Sequence, residues 1–163
     1  MKRSGKRAVR HSSRGFTIIE LLTLIALMAV LSAVAIPNIV GGLPKNRLGG
    51  SAREILSILH LARMAAIKEN SNVIVEFKPA SSECIVSVDD APEDGSWNTG
   101  ERILKRYKMP SGVNLLAPTF DVAGNVISFN NRGFADKTGD ITVQNSKGNR
   151  NIRVLPSGHC KIL

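Results

Sequence analysis

The chain is poor in the residues that build metal centres and active sites. It has two cysteines and three histidines among 163 residues, and they lack the spacing of zinc ligands. No glycine-rich phosphate loop follows a predicted strand, and neither His60 nor His159 lies in a nucleophile motif. We therefore expect no bound metal, no cofactor and no catalytic residue.

Acidic residues are absent from the first fifteen positions, where six basic residues lie: Lys2, Arg3, Lys6, Arg7, Arg10 and Arg14. The whole chain has a formal charge of +9, so the residues from Phe16 onward carry only +3. The basicity belongs mainly to this leader, and it is not a nucleic-acid signal for the rest of the chain. Because basic flanks stay in the cytoplasm, we expect the C-terminal part to face outward.

Only one long apolar run occurs, over residues 18–36. Nineteen helical residues at about 1.5 Å each span about 28 Å, close to the hydrocarbon thickness of a bilayer. Glu20 lies near the start of this run. An acid inside a membrane helix costs on the order of 3 kcal/mol, which marks Glu20 as a candidate functional residue.

Residues 14–22 closely resemble the processing motif of type IV prepilins and type II secretion pseudopilins. The resemblance is carried by the basic leader, the Gly15–Phe16 junction, the offset of Glu20 and the spanning helix. It implies cleavage between Gly15 and Phe16 by a prepilin peptidase, followed by N-methylation of Phe16. The implied partners are other pilin or pseudopilin subunits, the peptidase and inner-membrane lipid.

Cleavage at this junction would give Phe16 a positive amine about one helical turn from Glu20. In the low-dielectric core of a helix bundle, the carboxylate would neutralise the amine of a neighbouring subunit. A buried ion pair of this kind would also set the register of helices that otherwise slide freely. We interpret Glu20 as an assembly residue; an acid tolerated at the lipid headgroup boundary is the alternative.

Two other N-terminal arrangements fit a basic start followed by an apolar run. Ala33-Val34-Ala35 matches the cleavage site of a secretory signal peptide, which would begin the mature chain at Ile36. A simple membrane anchor would keep Met1. An acid within the apolar region and a helical pattern beyond Ile36 favour the prepilin arrangement.

The remaining pattern predicts an α+β fold with a long N-terminal helix, membrane-spanning in its first half, and an antiparallel β domain. We expect a cleaved leader at 1–15, an assembly helix at 16–40 and a kink or end at Pro37. A flexible stalk at 41–50 contains Gly41, Gly42, Pro44, Gly49 and Gly50.

The outward domain is expected at 51–163 and begins with a second helix. Ser51 would cap this helix, which runs to about Glu69. Its apolar face should lie on a sheet and comprises Ala52, Ile55, Leu56, Leu59, Ala62, Ala66 and Ile67. Short β-like segments then predict an antiparallel sheet or small sandwich: 73–78, 84–89, 103–108, 113–116, 126–130, 139–145, 151–155 and 159–163.

Two features of this domain leave alternatives open. Cys84 and Cys160 would lie in a compartment that permits disulfides, so they form either a bridge or two separate buried thiols. The acidic segment 89–94 contains Asp89, Asp90, Glu93 and Asp94 but lacks EF-hand spacing. It is either a calcium site or a solvated loop.

The C-terminal third resembles the GspH/FimT group of minor pseudopilins and minor pilins. The matching segments are 129–134, 140–143, 151–154 and Ser157-Gly158. The resemblance implies a non-enzymatic subunit that primes or caps a type IV pilus or a type II secretion pseudopilus, and so assists protein secretion. It also implies a single-pass protein of the bacterial inner membrane with a periplasmic domain.

Some members of the pilus branch resemble DNA receptors for competence uptake, which is the alternative function. The basic residues that would bind the duplex are Arg132, Lys147, Arg150, Arg153 and Lys161. The sequence departs from the receptor pattern, because His159 and Cys160 replace the basic residues expected there.

Overall fold

The computed structural model describes residues 15–89 and 101–163. It begins with one helix, α1 (Ile18–Glu69), of 52 residues. The strands that follow in the described residues are β1 (Val73–Lys78), β2 (Glu83–Val88), β3 (Arg102–Lys108), β4 (Asn114–Leu115), β5 (Thr119–Phe120), β6 (Val126–Phe129), β7 (Gly139–Asn145), β8 (Gly148–Val154) and β9 (Cys160–Ile162). One long helix followed by antiparallel strands confirms the predicted fold class.

Helix α1 is unbroken across the segment that we expected to interrupt it. It does not end at Pro37, and residues 41–50 are helical where we expected an irregular stalk. A kink at Pro37 stays a prediction. A proline removes one backbone donor, and the helical hydrogen bonds on either side hold the turn. Ser51 is likewise no N-cap, since it lies inside the helix and is buried.

The chain divides into two compact units, Met1–Gly41 and Gly42–Leu163. In the described part of the first unit, every large apolar side chain is exposed; Phe16 and Ile18 are each 81% exposed and Val34 is 76% exposed. This helix is long and apolar enough to cross a membrane, and its most apolar 18-residue window is entirely unburied.

In the second unit, one face of α1 packs into the hydrophobic core. Its core side chains are Leu48, Ala52, Ile55, Ile58, Leu59, Ala62 and Ala66. Most of the predicted face is therefore confirmed. Leu56 is half-buried and Ile67 is 51% exposed, because both lie at the flanks of the packed stripe.

The expected stalk residues of this unit are held by the domain. Asn145 Nδ2 donates a hydrogen bond to the Pro44 carbonyl at 2.6 Å. Arg47 Nη1 donates to the Ser111 carbonyl at 3.1 Å and to its hydroxyl at 3.2 Å. Together with the burial of Leu48, these contacts keep the start of the unit helical despite its glycines.

The strands form two antiparallel sheets. The first has the order β3-β2-β1-β6, and the second has the order β4-β7-β8-β9 with β5 beside β7. Strands β1 and β7 have the predicted bounds, and the other predicted strands are shifted by at most three residues at either end. Strand β5 was not predicted.

The β6 edge of the first sheet is capped by the segment that follows it. Lys137 Nζ donates to the Val126 carbonyl at 2.9 Å. Asp136 accepts from the Ser128 N–H at 2.7 Å through Oδ1 and donates its own N–H to the Ser128 carbonyl at 3.0 Å. Both outward backbone groups of Ser128 and the outward carbonyl of Val126 are therefore satisfied within the domain.

Candidate functional site: the start of the long helix

Thr17 begins helix α1 as its N-cap. Its hydroxyl oxygen accepts a hydrogen bond from the Glu20 N–H at 3.2 Å, and its carbonyl accepts from the Leu21 N–H at 3.1 Å. Thr17 and Glu20 have the spacing of a capping box, in which an acid at the third helical position is favoured. Sequence analysis did not recognise this second reason for a glutamate at position 20.

Phe16 and Glu20 lie side by side at this helix start. With Thr23, Leu24 and Leu27 they line a shallow concavity of about 260 Å³. The positive end of the helix dipole favours a carboxylate here. No described residue forms an ion pair with Glu20, so its carboxylate is available to a cation from outside the chain.

The basic residues of the alternative DNA site lie on strands β8 and β9 and in two turns. Arg153 donates two hydrogen bonds to the Asp140 carboxylate, from Nε at 2.8 Å and from Nη2 at 2.7 Å. These hydrogen bonds lower the pKa of the Asp140 carboxyl. Lys161 lies opposite Arg153 on β9. Arg150 is three residues away on β8 and therefore on the other face of the strand.

The other two candidate DNA contacts lie in turns. Lys147 is in the turn between β7 and β8, where its N–H is bonded to Asn145 Oδ1 at 2.8 Å. Arg132 follows β6 of the first sheet, and its N–H is bonded to Asn130 Oδ1 at 3.0 Å. One of the five cations, the Arg153 guanidinium, is already paired with a carboxylate of the domain, which weighs against the DNA alternative.

Arg63 connects α1 to the two turns that carried the family resemblance. Its Nε donates to the Gly133 carbonyl at 3.1 Å. Gly133 and Gly158 are buried with φ of 77° and 72°. A Cβ on Gly133 would come within 2.8 Å of Ile67 Cδ1, and a Cβ on Gly158 would overlap the Gly133 carbonyl oxygen. Arg63 is outside the apolar face that the sequence predicted to lie on the sheet, and only the paired glycines could have indicated the contact.

The two cysteines are free and buried, so the bridge that we considered is not formed. Cys84 is on β2 of the first sheet, whereas Cys160 is on β9 of the second and directs its thiol to the Gly158 carbonyl at 3.7 Å. Burial raises the pKa of the Cys84 thiol to about 12 and that of the Cys160 thiol to about 11.

We expect both thiols to resist alkylation in the folded protein. At pH 8 each thiol is protonated, because its pKa lies well above that value, and each is also shielded from the reagent. Mass spectrometry after iodoacetamide treatment should find no adduct in the folded protein and two adducts after denaturation. A bridged pair would give no adduct in either state unless a reductant was added.

Several sequence predictions lie outside the described residues. These are the leader residues 1–14, together with Asp90, Glu93 and Asp94 of the acidic segment; Asp89 is described and is buried. Within 15–89 and 101–163, no group of three or more histidine, cysteine or acidic side chains is placed to hold a metal ion.

Comparison with known proteins identifies the family. Residues 51–158 match the family model of the type II transport protein GspH. The Pseudomonas aeruginosa type IV minor pilin FimU is similar in structure, with 14% identity, a TM-score of 0.54 and coverage of 73% of this chain and 90% of FimU. The Vibrio cholerae minor pseudopilin EpsH, from the type 2 secretion system, has 12% identity, a TM-score of 0.54 and coverage of 72% of this chain and 96% of EpsH. No curated protein matches the sequence. The chain belongs to the GspH family, the minor pilins and pseudopilins of type IV pili and type II secretion.

Proposed function

We propose that this protein primes or caps the assembly of a pilus or secretion pseudopilus. The observation that supports the proposal is the first unit, an apolar helix exposed on all sides with one acid at its capped start. An exposed apolar surface of this extent is typical of a segment that is buried against lipid or against another protein. The bilayer would bury this surface before assembly, and the helices of other subunits would bury it in the filament.

In this proposal the chain is made with its leader on the cytoplasmic side. Prepilin peptidase cuts between Gly15 and Phe16, and the new amine of Phe16 is methylated. Residues 16–40 hold the protein in the inner membrane, and the domain at 51–163 is periplasmic. The family consists of structural subunits, so the proposed role requires no chemistry from the domain itself.

Glu20 would act when the subunit leaves the membrane. The exposed carboxylate lies beside Phe16, the residue whose amine cleavage would free, so it would meet the corresponding amine of a neighbouring subunit. In a low-dielectric core the attraction between two such charges greatly exceeds the value of about 1 kcal/mol that holds in water at 4 Å. Apolar helices alone supply no comparable preference for register.

A Gly15→Val substitution should block maturation without disturbing the fold. Beyond its chain neighbours, no described atom lies within 4 Å of the position that a Cβ at Gly15 would occupy, so the larger side chain fits the described structure. Its effect would therefore arise in the peptidase site, which must accept the residue before the cut. Intact-mass measurement should give a wild-type chain starting at methylated Phe16 and a variant chain that keeps its leader.

Other starting residues would contradict this scheme in distinct ways. A native product beginning at Ile36 would indicate a secretory signal peptide. A native product beginning at Met1 would indicate a plain membrane anchor.

Deletion of the gene should lower the number of filaments severalfold and leave their length distribution nearly unchanged. A priming subunit acts at nucleation, so the rare filaments that start without it should elongate normally. Counting and measuring filaments by electron microscopy tests this, with the wild-type gene restored in trans as the control. Filaments of normal number but altered length would argue for a role in elongation instead.

A further inference from the structure

One edge of β3 carries backbone groups that no other described residue binds. Met109 N donates to the Ser82 carbonyl at 2.9 Å, one position beyond the Glu83–Lys108 pair. Bonded and non-bonded pairs alternate between antiparallel strands, so the backbone of Tyr107 bonds to β2 while those of Arg106 and Lys108 point away from it. In the described residues no strand or loop meets those groups.

This open edge contrasts with the other side of the same sheet. On β6 the same alternation sends the backbones of Val126 and Ser128 outward, and the 136–137 segment binds both of them. The described part of the domain therefore caps the β6 edge and supplies no cap for the longer edge, the seven-residue strand β3.

A groove runs beside the open edge on its helix side. It has a volume of about 350 Å³ and is lined by Leu61, Met64, Ala65, Lys68, Glu69 and Leu104. Met64 is 68% exposed and Leu61 is 39% exposed, although both are apolar. A strand added to β3 would point every second side chain towards the helix, where this groove would receive apolar groups.

The charge of β3 indicates what the other side chains of such a strand should be. The strand has four basic residues and no acid. Three of them form ion pairs within the domain: Arg102 with Glu69 at 2.9 Å, Lys105 with Glu54 at 2.6 Å and Lys108 with Glu83 at 3.8 Å. Arg106 is exposed and has no acidic partner among the described residues.

These charges also disfavour a second copy of this chain as the occupant. Two β3 strands paired with each other would set basic side chains against basic side chains, which is destabilising in a sheet. A carboxylate opposite Arg106 would instead be favourable.

We propose that the β3 edge binds an extended segment of another filament subunit by strand addition. The segment alternates apolar side chains, which enter the groove, with acidic side chains, which face Arg106. Its backbone bonds to the outward groups of Arg106 and Lys108. This inference rests on the proposed function only in taking the segment from another filament subunit. The binding itself depends on the β3 edge and on the groove beside it.

The test is a titration of the purified full-length chain in detergent with a labelled nine-residue peptide that alternates valine and glutamate. Fluorescence anisotropy should show saturable binding to the wild type and much weaker binding of a peptide with lysine in place of glutamate. Arg106→Ala removes the charge and keeps the backbone donor. Arg106→Pro also removes the donor, and we expect it to bind roughly fivefold more weakly than Arg106→Ala, the value of about one hydrogen bond.

Arg106→Pro suits this test because the donor that it removes bonds to no described residue, so its melting temperature should stay close to that of Arg106→Ala. If it unfolds, Met64→Glu and Met64→Gln replace the pair: the exposed Glu should weaken binding of the acidic peptide and Gln should not. Equal binding by the members of a pair, equal binding of the two peptides, or self-association of the chain through β3 would overturn the proposal. None of these outcomes depends on filament incorporation, which tests the proposed function separately.

Discussion

Filaments are expected to exclude a Glu20→Gln protein that is still inserted in the membrane and still trimmed of its leader. Glutamine serves at the third position of a capping box as glutamate does, so the Thr17 cap survives and only the charge is lost. The amine of the neighbouring subunit would then be buried without a partner, at a cost of about 3–5 kcal/mol. Incorporation should fall by roughly a hundredfold or more.

Immunoblots of sheared filaments measure incorporation, and immunoblots of membranes from the same cells measure the amount of inserted, trimmed protein. Thr23→Val is the matched control, because Thr23 is one turn further along the same exposed helix and its hydroxyl bonds only to the Ile19 and Glu20 carbonyls, at 3.0 and 2.9 Å. It should assemble normally. Wild-type incorporation of the glutamine variant would show that capping, and not charge, is the reason for an acid at this position.

A Gly158→Ala protein is expected to lose roughly 2–5 kcal/mol of its free energy of unfolding, from backbone strain and steric overlap together. Gly158 has φ of 72°, and a Cβ there would overlap the Gly133 carbonyl oxygen, which is the acceptor of the Arg63 hydrogen bond. The clash is with backbone, so no side-chain rotation relieves it. To relieve it, the turns that contain Gly133 and Gly158 would have to move apart, and the contact of Gly133 with Arg63 of α1 would be disturbed as well.

Gly112→Ala separates the two contributions, since Gly112 has φ of 83° and the described residues place no atom within 4 Å of its absent Cβ. It should lose only the roughly 1–2 kcal/mol of left-handed backbone strain. Urea unfolding of the full chain in detergent, followed by circular dichroism, compares the two variants. Equal losses would mean that the turns move apart easily and that the contact with Arg63 contributes little.

Most strands could be predicted from the sequence because their signals are local. Alternating apolar residues in β1 and β7, each followed by turn residues, located both elements with their observed bounds. Strand β5 lacks such a signal. It has two residues, follows Pro118 and pairs with Gly139, whose absent side chain lets the Thr119 carbonyl come close.

The continuity of α1 could not be predicted, because the contacts that accompany it come from distant parts of the chain. Pro44 is bonded to Asn145 and Arg47 to Ser111, at separations of 101 and 64 residues. Glycine and proline lower the intrinsic helix propensity of 41–50, and tertiary contacts override that propensity. The role of Arg63 was hidden for the same reason, since its partner Gly133 lies 70 residues away.

The cap on β6 has a consequence for how this domain behaves when crowded. A sheet that is open on both sides can recruit a strand on one side and offer itself on the other, which is how cross-β polymers grow. Asp136 and Lys137 occupy one of those sides in the described domain. The first sheet can therefore accept one added strand, at β3, and offers no second edge at β6 for a further chain. Strand addition at this sheet would join two subunits without continuing into an aggregate.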